Sequence, residues 1–216
     1  SWKHHMLPTH PANSVVVLDF ETTGLSPNQG DRAIEIGAVK LENGIIVDRF
    51  QGLMNPGFRV SRFIEGYTGI TNAMLTEAPG CEAVMHEFAD FIQNSNLVAH
   101  NASFDQRFLD AELANIEQGY NGSFACSLLL SRRLTQDAPS HKLGELVQYH
   151  QIENEGVFHR ALADAEVTAS LWLVLLDSLQ RDHGIANPDF ALMQKITRTA
   201  KASISKLLKK EAGELS

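Results

Sequence analysis

Apolar residues run unbroken from Val15 to Leu18 and stop at Asp19. An unbroken run of this kind predicts a central strand covered on both faces, here residues 14–20, because a strand with one wet face would alternate. Further on, "AIEIGAVKLENGIIVDRFQGLMNP" carries strand-like runs on both sides of Asn43-Gly44, a dipeptide that favours a tight hairpin. Residues 55–80 are rich in Gly, Pro, Thr and Asn and read as a long irregular insertion. Helical spacing then appears at Ala83/Val84, Phe88, Phe91 and Ile92. "NLVAH" predicts a short strand, and "NASFDQRFLDAELANI" a helix opened by Asn101 or Ser103. "SFACS" predicts one more strand, followed by helical patterns at about 127–134, 142–150 and 161–181. Asn187-Pro188 breaks the chain ahead of a last helix over 189–210, striped by Met193, Ile196, Ala200, Ile204, Leu207 and Leu208.

Hairpin-joined strands followed by strands alternating with helices imply an α/β fold, one mixed sheet with helices on its faces. Three segments are expected: residues 1–13 as a disordered stretch or expression scar, 14–181 as the folded body, and 182–216 as a basic helical extension.

Composition narrows this picture. The chain of 216 residues is 44% hydrophobic, enough for one well-filled domain with an appendage. Cys81 and Cys126 stand in no metal-like or disulfide-like spacing, which fits a reducing compartment. The longest apolar run, "LWLVLL" at 171–176, is far too short to cross a bilayer, and "SWKHHMLPTH" lacks the apolar segment of a signal peptide. The expectation is a cytoplasmic protein with no membrane partner. A net charge of −8 argues against binding nucleic acid by electrostatics alone. The charge is uneven, however. Residues 189–216 hold six Lys/Arg against Asp189, Glu211 and Glu214, an excess of three positive charges that leaves −11 for the rest. Gly-Lys and Gly-x-Gly signatures for cradling phosphates are missing from the sequence.

The candidate chemistry lies in acids placed just beyond strands. Asp19 and Glu21 are two apart on a strand, so their side chains share a face. Two like charges placed together cost energy unless a cation lies between them, and hard oxygen ligands suit Mg²⁺ or Mn²⁺. The competing reading makes Glu21 a solvated loop residue and Asp19 a turn cap. Asp105 falls in the first turn of the helix after "NLVAH", where the helix dipole alone would favour an acid. In "VFHRALADAEV", His159 precedes Asp164 by five residues, so the two converge only if His159 lies in the loop before the helix. Together Asp19, Glu21, Asp105, Asp164 and His159 suit phosphodiester hydrolysis by two cations, with an imidazole taking the proton of water.

At these residues the chain resembles the DEDDh superfamily of 3′–5′ exonucleases, which includes the epsilon proofreading subunit of bacterial replicative DNA polymerase. The resemblance spans roughly Val15–Leu176 and rests on "DFETTG", "HNASFD" and "HRALADA" in the family's order, with "SHKLGEL" leading into the third. It implies an RNase H-like fold with a five-stranded mixed sheet. Asp19, Glu21 and Asp164 would hold one metal, Asp19 with Asp105 a second, and His159 would be the general base. Thr22, Thr23 and Gly24 resemble the turn that meets the terminal nucleotide. Leu25 and Phe104 resemble the apolar groups set against the 3′ base. The implied activity is removal of nucleoside 5′-monophosphates from the 3′ end of single-stranded nucleic acid, with DNA favoured. A polymerase-associated proofreading subunit and an RNA-trimming enzyme are the alternatives. Oligomeric state is left open by the sequence.

Overall fold

The computed structural model describes residues 10–156 and 158–214; residues 1–9, expected to be disordered, lie outside the described residues. Five strands, β1 (Val16–Thr22), β2 (Ala33–Glu42), β3 (Ile45–Leu53), β4 (Leu97–Ala99) and β5 (Phe124–Cys126), form one mixed sheet in the order β3-β2-β1-β4-β5. β1, β2 and β3 pair antiparallel, while β4 and β5 run parallel to β1. The Asn43-Gly44 turn holds φ at 52° and 77°, the doubly left-handed backbone of the hairpin that its sequence predicts.

The unbroken apolar run of β1 is explained by two cores. Val15 and Val17 face one of them, with Val39, Leu41 and Trp172; Val16, Leu18 and Phe20 face the other, with Phe88 and Phe108. The first is roofed by α7 (Ala161–His183), the second by α3 (Cys81–Ile92) and α4 (Ala102–Ala114). Because strand side chains alternate, the next residues on the α7 face after Val17 are Asp19 and Glu21. β1 runs past its expected end at Phe20 to Thr22, so that Glu21 as well as Asp19 lies in the strand.

Three local expectations need correction. The segment 55–80 is not irregular throughout. It carries α1 (Arg62–Thr68) and α2 (Asn72–Thr76), started by the side chains of Ser61 and Thr71 and seated on a small cluster of Ile34, Val60, Ile70 and Leu75. Asn101 sits at the start of α4 in a left-handed conformation and makes no side-chain cap; Cys126 Sγ instead accepts from the Ala102 amide at 3.3 Å. The last helix is two helices, α8 (Phe190–Arg198) and α9 (Ile204–Glu211), separated by extended backbone at Thr199 and Ala200. The break folds the chain back, so that Phe190, Met193 and Ile196 of one and Ile204 and Leu208 of the other all enter the α7 core. Ala200, expected in the stripe, is exposed. At the other end, residues 10–13 are tied into the fold: Pro11 bridges to Asp189, and the Ala12 carbonyl accepts from Trp172 Nε1 at 2.7 Å. The chain is completed by α5 (Ser127–Leu134) and α6 (Leu143–Tyr149), both close to α7.

Candidate active site

Asp19 and Glu21 point from β1 toward the first turn of α7, and that turn carries Asp164. Carboxylate oxygens of these three residues lie within 4.8 Å of one another. Their convergence depends on how closely α7 approaches the sheet. Gly37 pairs with Asp19 across β1 and β2, and a Cβ at Gly37 would run into the backbone of Ala161 and Leu162. Glu35, opposite Glu21 in register, is fully buried and holds the same helix end. It accepts from Arg160 Nε at 3.0 Å, from Arg160 Nη2 at 2.8 Å and from the Ala161 amide at 3.0 Å. A charged acceptor at the first turn satisfies an otherwise orphaned N–H and complements the helix dipole.

His159 lies in the loop before α7 and adopts a left-handed backbone, φ 65°. Its amide donates to Asp164 Oδ2 at 3.0 Å, and its ring rests on Tyr67 with centroids 4.0 Å apart. The loop placement of His159 and the early-turn placement of Asp164 are what convergence required. Asp105 sits on the other side of β1. β4 pairs with β1 only at Val16 and Val17, so the Phe20 amide lies beyond the ladder, and Asp105 Oδ1 accepts from it at 3.0 Å. Its helix is anchored too. Glu112 of α4 accepts from Arg32 Nε and Nη2 at 3.1 and 2.9 Å and from the Ala33 amide at 3.0 Å.

Crowding four acids out of water perturbs them all. Burial, then the charges of Asp105, Glu21 and Asp164, hold Asp19 well above the ordinary carboxylate range. Burial and then Asp164 push Glu21 up to about 9. Burial raises Asp105 to about 8, against the lowering effect of the Phe20 amide, and raises Asp164 to about 6, against that of the His159 amide. Among the described residues, Asp19 Oδ2 and Asp164 Oδ1 are buried with no hydrogen-bond donor. Buried carboxylate oxygens without donors, converging from two elements, are what a hard divalent cation would satisfy, so this donor set fits Mg²⁺ or Mn²⁺.

The residues expected at the terminal nucleotide are differently disposed. Thr22 is buried and its hydroxyl donates to the Gly24 carbonyl at 2.7 Å. The Thr23 hydroxyl donates to Asp31 Oδ1 at 3.0 Å, and a Cβ on Gly24 would strike the same carboxylate. Their side chains thus build the turn, leaving its backbone as the surface it can offer. Leu25 is 74% exposed at the tip, whereas Phe104 is half-buried against Phe108 at 5.0 Å. His100 is a corner residue: the His141 carbonyl can only accept, so Nε2 carries the proton at 2.8 Å and Nδ1 takes the Ser127 hydroxyl at 2.7 Å. Burial pushes this imidazole down to about 4 and keeps it neutral.

Sequence reasoning missed Glu35, Gly37, Arg160, the Arg32–Glu112 pair and Tyr67. One signal was available, since Glu35 is an acid inside the apolar run "AIEIGAV". Arg160 and Gly37 carry none that can be separated from a surface cation and a strand glycine.

A family model described as exonuclease matches residues 16–172. A DNA polymerase III of PolC type from Caldanaerobacter subterraneus is 41% identical over 165 residues, covering 76% of this chain and 12% of the relative. Its counterpart from Thermotoga petrophila is 42% identical over 173 residues, covering 77% and 12%. The chain therefore spans about an eighth of the length of these relatives. Among solved structures, Exonuclease X in complex with 5′ overhanging duplex DNA superposes with a TM-score of 0.65 at 28% identity, covering 84% of this chain and 98% of that one. The nuclease domain of 3′hExo, a DEDDh family member bound to rAMP, superposes at 0.64 with 20% identity over 79% and 94%, a likeness of fold.

Proposed function

Because this chain belongs to the exonuclease family, we propose that it is a divalent-metal-dependent hydrolase that removes nucleoside 5′-monophosphates one at a time from the 3′ end of single-stranded nucleic acid, DNA in preference to RNA. The observation that carries this reading is the group of three carboxylate oxygens within 4.8 Å, two of the acids having a buried oxygen without a donor. Asp19, Glu21 and Asp164 would hold one cation, and Asp19 with Asp105 a second. Bound there, divalent cations supply activation of water and neutralisation of charge on the phosphate. His159 takes the proton from the attacking water, which bonds to phosphorus as the bond to the 3′ oxygen of the preceding nucleotide breaks. Held at its amide by Asp164 and at its ring by Tyr67, the imidazole is aimed before substrate arrives. The turn at Thr22–Gly24 and Leu25 receives the terminal nucleotide.

The test is digestion of end-labelled single-stranded DNA and RNA with Mg²⁺ or Mn²⁺. Stepwise loss from the 3′ end, stopped by chelator and by Asp19→Ala, is expected; internal cuts or chelator-resistant activity refute the mechanism. A second reading, proofreading alongside a polymerase, is favoured by the identity to PolC-type polymerases. It requires that the chain excise a mismatched primer end faster when a polymerase is added.

A further inference from the structure

We propose that Asp31 is a positioning residue for the terminal nucleotide: both of its carboxylate oxygens brace the turn that carries Leu25, so that the turn meets substrate already in its binding shape. This rests on the nuclease reading and deepens it, naming a residue outside the acidic cluster that governs substrate affinity and leaves turnover alone.

The turn begins at Thr22, one residue after Glu21, so its backbone borders the acidic cluster. Asp31 Oδ1 accepts from the Thr23 hydroxyl at 3.0 Å, and Oδ2 accepts from the Ser26 amide at 3.1 Å. These two contacts flank Gly24 and Leu25. A Cβ on Gly24 would lie 2.5 Å from either carboxylate oxygen, so the bare glycine backbone is what admits the carboxylate between them. Backbone groups double the brace. The Asp31 amide donates to the Ser26 carbonyl at 3.2 Å, and the Thr23 amide donates to the Arg32 carbonyl at 2.9 Å. The Arg32 amide in turn donates to the Thr23 hydroxyl oxygen at 3.0 Å. Leu25 depends on this frame. Two exposed aromatics of α1, Phe63 and Tyr67, steady each other by stacking at 5.6 Å. Among the described residues Leu25 packs into no apolar cluster, so its place is set by the backbone on either side of it. A turn held in advance binds with a smaller ordering cost than a loose one.

The next residue extends the brace to α4. Arg32 grips Glu112 through Nε and Nη2, and the same helix carries Phe104 and Asp105. Residues 31 and 32 together therefore fix the Leu25 turn relative to Phe104. Asp31 lies outside the group of three carboxylate oxygens, and its removal leaves the Arg32–Glu112 pair intact. Loss of its carboxylate thus frees the turn without taking away a candidate metal ligand.

The experiment uses the full chain and a 5′-fluorescein oligothymidylate of about ten nucleotides. Anisotropy in chelator gives Kd, and release of mononucleotide with Mn²⁺ gives kcat and KM. Asp31→Ala should raise Kd and KM about 5- to 30-fold, the cost of ordering roughly one backbone residue, while kcat stays within about twofold. A variant that merely unfolds does the reverse, lowering kcat with the folded fraction and leaving KM unchanged. Asp31→Asn keeps an acceptor for the Ser26 amide and a donor for the Thr23 hydroxyl oxygen, so it should return Kd to within about threefold of wild type. Leu25→Ala should weaken binding by a similar factor, and the double change Asp31→Ala, Leu25→Ala by little more than either, because a loose turn no longer presents Leu25. Unchanged Kd and KM in Asp31→Ala, a fall in kcat alone, or full additivity with Leu25→Ala overturns the positioning role. The expected pattern in Kd without release of mononucleotide supports Asp31 and refutes the nuclease reading instead. A wild-type chain that does not bind the oligonucleotide overturns both.

Discussion

Asp19 places a carboxylate oxygen without a donor inside a group of like charges, an arrangement that strains the metal-free protein. Glu21, Asp105 and Asp164 have folded-state pKa values pushed up to about 9, 8 and 6, whereas in the unfolded chain each carboxyl titrates near 4. Between those limits the folded state binds more protons than the unfolded state, so stability falls as pH rises. In chelator, the melting temperature should therefore drop between about pH 5 and 9, and Glu21→Gln should flatten that drop; a flat wild-type profile would mean that the acids are not crowded in solution. For the same reason Asp19→Asn should raise the melting temperature in chelator while removing activity. It should also lose most of the stabilisation by excess Mn²⁺, which for the wild type is about 2.7 kcal/mol at a hundredfold excess over Kd. His159→Ala removes a proton acceptor and no carboxylate. Its turnover should fall by about 10²–10⁴ while Mn²⁺ still stabilises the fold; loss of both would make His159 part of the metal site.

At the scale of elements, the start of β2 holds both acid-bearing helices without supplying a carboxylate to the three-oxygen group. Arg32 and the Ala33 amide grip Glu112 of α4; Glu35 grips Arg160 and the Ala161 amide of α7; Gly37 lets α7 come down to the strand. The Arg160–Glu35 pair has a fully buried anion and a guanidinium 30% exposed, so removing the cation strands a charge away from water. Arg160→Ala should cost roughly 2–4 kcal/mol in urea denaturation, below the full penalty of a buried pair because of that exposure. Gly37→Ala should cost about 1–3 kcal/mol through overpacking and lower turnover by moving Asp164 off Asp19. Wild-type stability and turnover in Gly37→Ala would show that α7 is not held this closely. The hairpin was legible because Asn43-Gly44 acts on its own two residues. The helices of 62–76 were not: their Gly- and Thr-rich sequence is a poor helix former, and they stand on caps at Ser61 and Thr71 and on packing against Ile34.

Across the whole molecule, the basic extension is packed against the body, with α8 and α9 feeding the core that α7 shares with β1. If it belongs to one cooperative unit, Leu208→Ala should lower the stability of a single unfolding transition by about 2–4 kcal/mol; two separate transitions in denaturant would make the extension an independent piece. Its cations face outward, and Lys195 meets Glu211 at 3.6 Å, a contact that clips α8 to α9. The amino-acid sequence alone determined what short-range rules govern. These are the alternation that sends Asp19 and Glu21 to one face, the helix that must start between His159 and Asp164, and the order in which the acids occur. Tertiary structure alone decided that acids far apart in the chain share one pocket. It also folded the last helix back on itself, and set the exposed aromatic pair of α1 beside His159. The physical reason is that backbone preferences act over a few residues, whereas convergence depends on a missing Cβ at Gly37 and two arginine–glutamate pairs with buried carboxylates, whose partners no local pattern identifies.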